Sequence, residues 1–151
     1  MLKHKNITEA YKTALTSKEN KDFAQVIAFC ENDKKCQDDN SVKKHMMLSW
    51  AYKKIASFYE KSKNYKKAYL FCQKAVGLSK SSAMKISMGH KMMFLLDTMN
   101  LPICQKASEI VKITSYMQKA YNEIGNIKSA ERVARLQAIA EKLLKKSKYL
   151  H

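Results

Sequence analysis

Apolar residues recur every three or four positions along most of the chain, and short polar segments divide this pattern into successive runs. This spacing places side chains on one face of an α-helix. Several of the breaks carry residues that begin or end helices, such as Asn64, Pro102 and Gly125. The pattern predicts helices over Asn6 to Thr16, Phe23 to Cys30, Ser41 to Lys61, Asn64 to Leu78, Ser81 or Ser82 to Met99, residues 102–124 as one helix or two, and Ile127 to Lys146.

The predicted fold class is all-α, with six to seven antiparallel helices packed as hairpins in a short array or bundle. Only three Gly and one Pro are present, whereas β-hairpins and glycine-rich phosphate loops need such turn residues. Residues 33–40 are polar without periodicity and predict the longest loop. One domain is predicted for residues 1–151, made of a first helix hairpin (1–34), a basic hairpin (41–80), a methionine-rich helix with a long helix (81–124) and a basic C-terminal helix (126–151).

The net charge of +16 is unevenly distributed along the sequence. Residues 1–40 hold seven Lys and seven Asp or Glu, residues 41–80 hold ten Lys and one Glu, and residues 81–151 hold twelve basic and five acidic residues. Such an excess favours an anionic partner, either an acidic protein or peptide or a nucleic acid. Only two of the basic residues are Arg, the usual reader of bases, so any nucleic-acid binding is expected to be non-specific.

Two segments of the chain are similar to each other. The segment Asn64 to Cys72 (NYKKAYLFC) matches Asp22 to Cys30 (DFAQVIAFC), and weaker similarities follow Asn100 and Asn126. Each begins with a capping residue and a large apolar residue, followed three positions later by a small or medium residue. Such a small residue allows two helices to approach closely, so the similarity indicates repeated helix hairpins.

Residues 49–82 resemble one unit of the tetratricopeptide repeat family. The family's aromatic, aliphatic and small positions are occupied by Tyr52, Ile55, Ala56, Tyr59, Tyr65, Ala68 and Ala75. The unit departs from the family pattern at Lys63, Cys72 and Lys80, where the family often has Gly, an aromatic residue and Pro. The neighbouring segments match less well and are irregularly spaced. The resemblance therefore implies one good repeat hairpin with divergent neighbours.

The resemblance also implies a binding surface, because the inner face of the first helix of each repeat usually contacts a peptide in this family. The residues that it places toward a groove are Trp50, Lys53, Ser57, Glu60 and Lys61. Lys53 is similar to a lysine with which some members bind a C-terminal carboxylate. The Asn that accompanies that lysine is replaced by Ser57, so no dedicated carboxylate clamp is expected. Trp50 has a second interpretation, since a lone Trp in a bundle is often a core residue.

Lysines also form rows along the basic hairpin. Lys54 lies eleven residues after Lys43 and seven before Lys61, spacings that return to nearly the same side of a helix. Lys67 and Lys74 form a second row on the next helix, among several tyrosines. The predicted basic surface comprises Lys43, Lys54, Lys67 and Lys74. The predicted function is an adaptor or chaperone-like module that binds an acidic peptide or protein segment, and the alternative is non-specific RNA or DNA binding by the same Lys and Tyr surface.

Two apolar stripes lie in the second half of the chain. Met84, Met88 and Met92 recur every four residues, which suits either core packing or a groove for apolar ligands. The last helix carries a stripe and a group of terminal lysines that suit an array cap, a partner helix or an anionic membrane. That stripe consists of Val133, Leu136, Ala140 and Leu143.

No motif indicates an enzyme, a cofactor or a metal site. There is no nucleophile motif or phosphate-binding glycine loop, and the spacing of Cys30, Cys36 and His45 fits no common zinc pattern. No secretory signal is expected, because no apolar stretch follows the first charged residues, and the longest apolar run, Met92 to Leu96, is far too short to span a bilayer. A cytoplasmic protein with reduced cysteines is expected, and the oligomeric state is left open.

Overall fold

The computed structural model describes residues 7–32 and 42–149, and within these ranges the protein is all-α, as predicted. Seven helices and no strand are present in the described ranges. The helices are α1 (Ile7–Ser17), α2 (Asn20–Asn32), α3 (Val42–Lys61), α4 (Tyr65–Leu78), α5 (Ser82–Met99), α6 (Ile103–Glu123) and α7 (Ile127–Tyr149). The loop predicted at residues 33–40 and the helix starts predicted at Asn6 and Ser41 lie outside the described residues.

Local capping interactions fix the helix ends, and several predicted caps are confirmed. The side-chain oxygens of Asn64, Ser81 and Asn126 each accept a hydrogen bond from the backbone N–H three residues later, at 3.2–3.4 Å. Asn100 follows α5 with φ 54°, and Gly125 precedes α7 with φ 80°, both in the left-handed region that ends helices. No residue of that kind occurs inside α6, which is one continuous helix and settles the alternative left open for residues 102–124.

The predicted start of the second helix is wrong. The helix begins at Asn20, not at Phe23, because the carbonyl of Glu19 already accepts hydrogen bonds from the N–H groups of Asp22 and Phe23. The Ser17 hydroxyl supports this turn by donating a hydrogen bond to the Asp22 carboxylate. The first turn of α2 is therefore organised from the end of α1.

The chain divides into two compact units, Met1–Ser79 and Lys80–His151. This boundary coincides with the predicted one between the basic hairpin (41–80) and the methionine-rich segment (81–124). The single domain of residues 1–151 stays a prediction.

In the first unit, α3 and α4 form an antiparallel hairpin. Ser49, near the start of α3, donates a hydrogen bond of 2.7 Å to the carbonyl of Ala75, near the end of α4. Toward the other end of the hairpin, the Tyr59 ring stacks on Phe71 with centroids 5.4 Å apart. α1 and α2 pack against α3 and close the core of this unit. That core comprises Ala10, Ala14, Phe23, Val26, Ile27, Leu48, Ala51, Tyr52, Ile55 and Ala75.

The positions that carry the tetratricopeptide resemblance pack as interior residues of the α3–α4 hairpin. The small residues Ala56, Ala68 and Ala75 are all fully buried, which lets the two helix backbones approach. Tyr52 and Ile55 are buried as well, and the two remaining tyrosines of the pattern are half-buried. The membership of the family itself stays a prediction.

In the second unit, α6 packs antiparallel to α5, and α7 packs against α6. The Tyr116 hydroxyl donates a hydrogen bond to the Met92 sulfur at 3.2 Å, and His90 Nε2 lies 2.7 Å from the Tyr121 hydroxyl. Met88 and Met92 are buried, so the methionine stripe is used mainly for packing between these helices.

Candidate functional site

A groove of about 540 Å³ lies in the first unit, between α3 and the turn that joins α1 to α2. We call it the aromatic groove. Its volume falls within the usual range for ligand sites, about 300–1,000 Å³. The described residues that line it are Leu15, Lys18, Phe23, Trp50, Lys54, Ser57, Phe58 and Lys61.

The floor of the aromatic groove is a row of interlocked rings. The Trp50 indole meets Tyr11 and Phe23 edge to face, with centroids 4.8 Å apart in both pairs. Phe23 continues the row to Phe58, 6.3 Å away. Partial burial raises the pKa of Tyr11 above its ordinary value of 10.0, because a buried phenolate loses hydration. Edge-to-face pairs of this kind stabilise the packing of α1 and α2 against α3.

Lysine ammonium groups surround this floor. The Lys54 Nζ lies 5.6 Å from the centre of the Trp50 indole, and the Lys61 Nζ lies 5.9 Å from the centre of the Phe58 ring. Lys18 approaches from the α1–α2 turn, where its backbone has φ 57° and its N–H donates to the Ala14 carbonyl at 2.9 Å. None of the described residues that line the groove is acidic. The groove therefore combines apolar ring surface with three positive charges.

Three of the five residues predicted to face a groove do line it. These are Trp50, Ser57 and Lys61. Ser57 and Lys61 follow Trp50 by seven and eleven residues, so each side chain leaves the helix within about 20° of the Trp50 direction. The alternative prediction for Trp50 was a core residue, and Trp50 is indeed half-buried and packs against the core. Ser57 donates its hydroxyl hydrogen bond to the Lys53 carbonyl at 3.3 Å.

Lys53 and Glu60 are not among the described residues that line this groove, so their predicted role in binding stays a prediction. They project about 60–80° from the Trp50 direction, on the side away from Lys54 and Phe58. The packing of α2 against α3 opens the groove on the Lys54 side, where Phe58 meets Phe23.

The predicted basic surface is divided between two places. Lys54 belongs to the aromatic groove, whereas Lys67 and Lys74 lie exposed on α4. The Lys67 Nζ is 5.4 Å from the centre of the Tyr59 ring, and the Lys74 Nζ is 5.5 Å from the centre of the Tyr52 ring. We call this second place the α4 lysine face. The side chain of Lys43 lies outside the described part of the structure.

Sequence reasoning missed the half of the groove that α1 and α2 contribute. Leu15, Lys18 and Phe23 come from segments outside the 49–82 unit, so the resemblance assigned them no role. Phe23 was noted only as the large apolar residue of the repeated segment. An available signal was the similarity of Asp22 to Cys30 with Asn64 to Cys72, which indicates that α2 packs against its neighbours as α4 does.

Comparison with protein-family models, with curated proteins and with solved structures finds no match for this chain. Among the described residues, no group of three His, Cys, Asp or Glu side chains is placed to hold a metal ion. Cys36 lies outside those residues, as does the side chain of Cys30. No described helix combines the length and the apolar character needed to cross a bilayer.

Proposed function

We propose that this chain is a protein-interaction module, of adaptor or chaperone-like type, that binds an acidic peptide or protein segment in the aromatic groove. The single observation that carries the proposal is the pairing of the ring floor with Lys18, Lys54 and Lys61, without an acidic side chain among the described lining residues. Carboxylates of a bound segment would meet the ammonium groups, and an apolar side chain would lie on Trp50 and Phe58.

The proposal extends to the type of module and its location. A tetratricopeptide-like hairpin at 49–82 is supported by the buried small residues of α3 and α4 and by a groove on the first helix of that hairpin. A cytoplasmic location is proposed on the sequence features alone.

Trp50 offers a direct assay because it is the only Trp in the chain. Its fluorescence is titrated with a synthetic peptide of alternating Glu and Leu, and with a matched peptide of alternating Lys and Leu. In the Lys54→Glu/Lys61→Glu variant, two attractions between a lysine and a peptide carboxylate become two repulsions of similar size. The change corresponds to about 2 kcal/mol of binding free energy in all, or roughly a 30-fold weaker affinity. We therefore expect that loss for the Lys54→Glu/Lys61→Glu variant with the acidic peptide.

The matched control is Lys63→Glu/Lys66→Glu, which changes the net charge equally at exposed positions that do not line the groove. This control should retain most of the affinity. Equal losses in the two variants would reduce the effect to net charge, and tight binding of the basic peptide would contradict the proposal outright.

The second candidate is non-specific binding of RNA or DNA, and the α4 lysine face is the observation that favours it. There Lys67 and Lys74 lie exposed above the half-buried Tyr59 ring and the buried Tyr52 ring, and two lysines held in this way suit contacts to a phosphate backbone. Anisotropy of labelled RNA at about 50 and 200 mM salt measures phosphate contacts. Affinity that falls steeply with salt, and falls again in Lys67→Glu/Lys74→Glu but not in Lys54→Glu/Lys61→Glu, would favour this candidate.

A further inference from the structure

A second concave surface lies in the unit Lys80–His151 and plays no part in the proposal above. It is an apolar cleft of about 440 Å³ between α6 and α7, bounded at one side by the end of α5. We call it the α6–α7 cleft. The described residues that line it are Met93, Asp97, Ile103, Lys106, Ala107, Ile110, Leu136, Ile139, Ala140 and Leu143.

The cleft has small residues at its floor and large apolar residues at its rim. Ala107 of α6 and Ala140 of α7 both line the cleft and are each only 2% exposed. Ile103 and Ile139 stand at the rim with exposed fractions of 69% and 57%. A hole with a small floor and a large apolar rim is the shape that accepts a side chain projecting from another helix.

The apolar stripe predicted on the last helix is divided by this cleft. Val133 turns into the core, whereas Leu136, Ala140 and Leu143 line the cleft. Leu136 and Leu143 are seven residues apart, so the cleft runs along α7 for about 10 Å, or two helical turns. A bound helix of two turns presents apolar residues at positions i, i+3 or i+4, and i+7, the positions through which amphipathic helices bind in grooves.

Basic residues flank the cleft along α7. Arg132 and Lys146 lie seven residues before and after Ile139, so they share its row on the helix within about 20°. Arg135 and Lys142 adjoin the same row, and all four of these side chains are exposed. The one acidic lining residue, Asp97, forms an ion pair with Lys106 across the cleft rim. The electrostatic character of the rim along α7 is therefore positive.

We propose that the α6–α7 cleft binds an amphipathic helix of a partner protein whose apolar stripe is flanked by Asp or Glu. Charge complementarity with Arg132, Arg135, Lys142 and Lys146 selects the acidic flank. A second copy of this chain is disfavoured as the occupant, since a two-fold interface would place these four cations against themselves. A bilayer is disfavoured because the alanine floor is recessed, where a flat surface cannot reach it.

The probe for this proposal is a synthetic stapled helix that carries Leu at i, i+4 and i+7 with Glu at the flanking positions. Binding is measured by anisotropy, beside a matched helix with Lys in place of Glu and beside vesicles of equal parts phosphatidylcholine and phosphatidylglycerol. We expect the Glu helix to bind and Ile139→Asp to weaken it by about tenfold or more, because a buried Ile side chain contributes about 1.5–3 kcal/mol.

Two matched controls are available on α7. Ile127→Asp makes the same change at a 62% exposed Ile that does not line the cleft. Lys145→Glu is the control for Lys146→Glu. Lys146 lies on the same side of α7 as Ile139, whereas Lys145 points about 100° away from Lys146. We expect both controls to bind as the unaltered chain does, and Lys146→Glu to bind about threefold to tenfold more weakly.

The proposal is overturned if the Glu helix does not bind, if the Lys helix binds equally well, or if Ile127→Asp weakens binding as much as Ile139→Asp. Vesicle binding that depends on Ile139, without binding of the Glu helix, would assign the cleft to a membrane and also overturn it. The Lys54→Glu/Lys61→Glu variant should bind the helix normally, so the outcome is independent of the aromatic groove.

Discussion

α5 packs tightly against α6 at Gly89, and adding one methyl group there tests this packing. A Cβ at Gly89 would lie 2.5 Å from the Met117 Cγ and still nearer the Met117 sulfur. Met117 is fully buried, with an exposed fraction of 0%, so its side chain has no solvent to move into. Gly89→Ala must therefore displace either the Met117 side chain or the helix backbone.

The expected magnitude follows from two opposing effects. Ala is favoured over Gly inside a helix by about 1 kcal/mol. Forcing an extra methyl group into a packed core costs about 1–3 kcal/mol. The net result is a loss of about 1 kcal/mol in the free energy of unfolding, or a fall of about 4–8 °C in Tm for a unit of this size. Gly77→Ala is the contrast, since a Cβ there meets no atom within 4 Å, and it should raise Tm slightly.

Thermal unfolding followed by circular dichroism measures both variants. A double-mutant cycle then isolates the contact, because Met117→Ala removes the atoms that the new methyl group would meet. In that background Gly89→Ala should become stabilising by about 1 kcal/mol, a reversal of sign. If Gly89→Ala raised the Tm of the unaltered chain as Gly77→Ala does, the close approach of α5 and α6 would be refuted.

Three further predictions concern single interactions. Ser49→Ala should lower the free energy of unfolding by about 1 kcal/mol in urea denaturation, and not more, because the Ala75 carbonyl that loses the Ser49 hydrogen bond keeps one from the Ser79 N–H. Asn126→Ala should cost about 1 kcal/mol by loss of the α7 cap, whereas Asn122→Ala on the exposed surface of α6 should cost little; equal losses would contradict the cap. Burial raises the folded-state pKa of Tyr11 above 10.0, so the stability linked to its proton is complete below that pH and is lost as pH rises through the folded pKa. Tyr11→Phe should therefore make Tm fall less steeply above pH 10.0 than in the unaltered chain, and identical slopes would rule this out.

The features that the sequence predicted well are those decided within a few residues of the chain. Asn64 and Asn126 cap helices by accepting a hydrogen bond from the backbone N–H three residues later, so their role can be predicted without any tertiary contact. The small residues of the α3–α4 hairpin were also identified, because two helices joined by a tight turn have few ways to pack. α2 was misplaced at its start because Glu19, a poor side-chain cap, provides its first carbonyl acceptor.

The composition of the aromatic groove was less predictable because it depends on contacts between distant segments. One residue turns a helix by about 100°, so the choice between Lys53 and Lys54 depends on which side α2 covers. That side is fixed by Phe23 meeting Trp50 and Phe58, a contact between residues some thirty positions apart. The α6–α7 cleft was hidden for a similar reason, since Leu136 and Val133 are indistinguishable as members of one stripe until α6 is packed against it.

The excess of positive charge and the exposed apolar surfaces are best explained together. Apolar residues left at the surface, such as Phe94 (58% exposed) and Ile139, favour association of the chain with itself. A net charge of +16 opposes that association, because copies of the chain repel each other at low and moderate salt. The same positive charge attracts a molecule that carries Asp and Glu side chains. If the two proposals hold, the lysines around the aromatic groove and the basic residues along the α6–α7 cleft would admit acidic partners to these apolar surfaces and repel further copies of the chain.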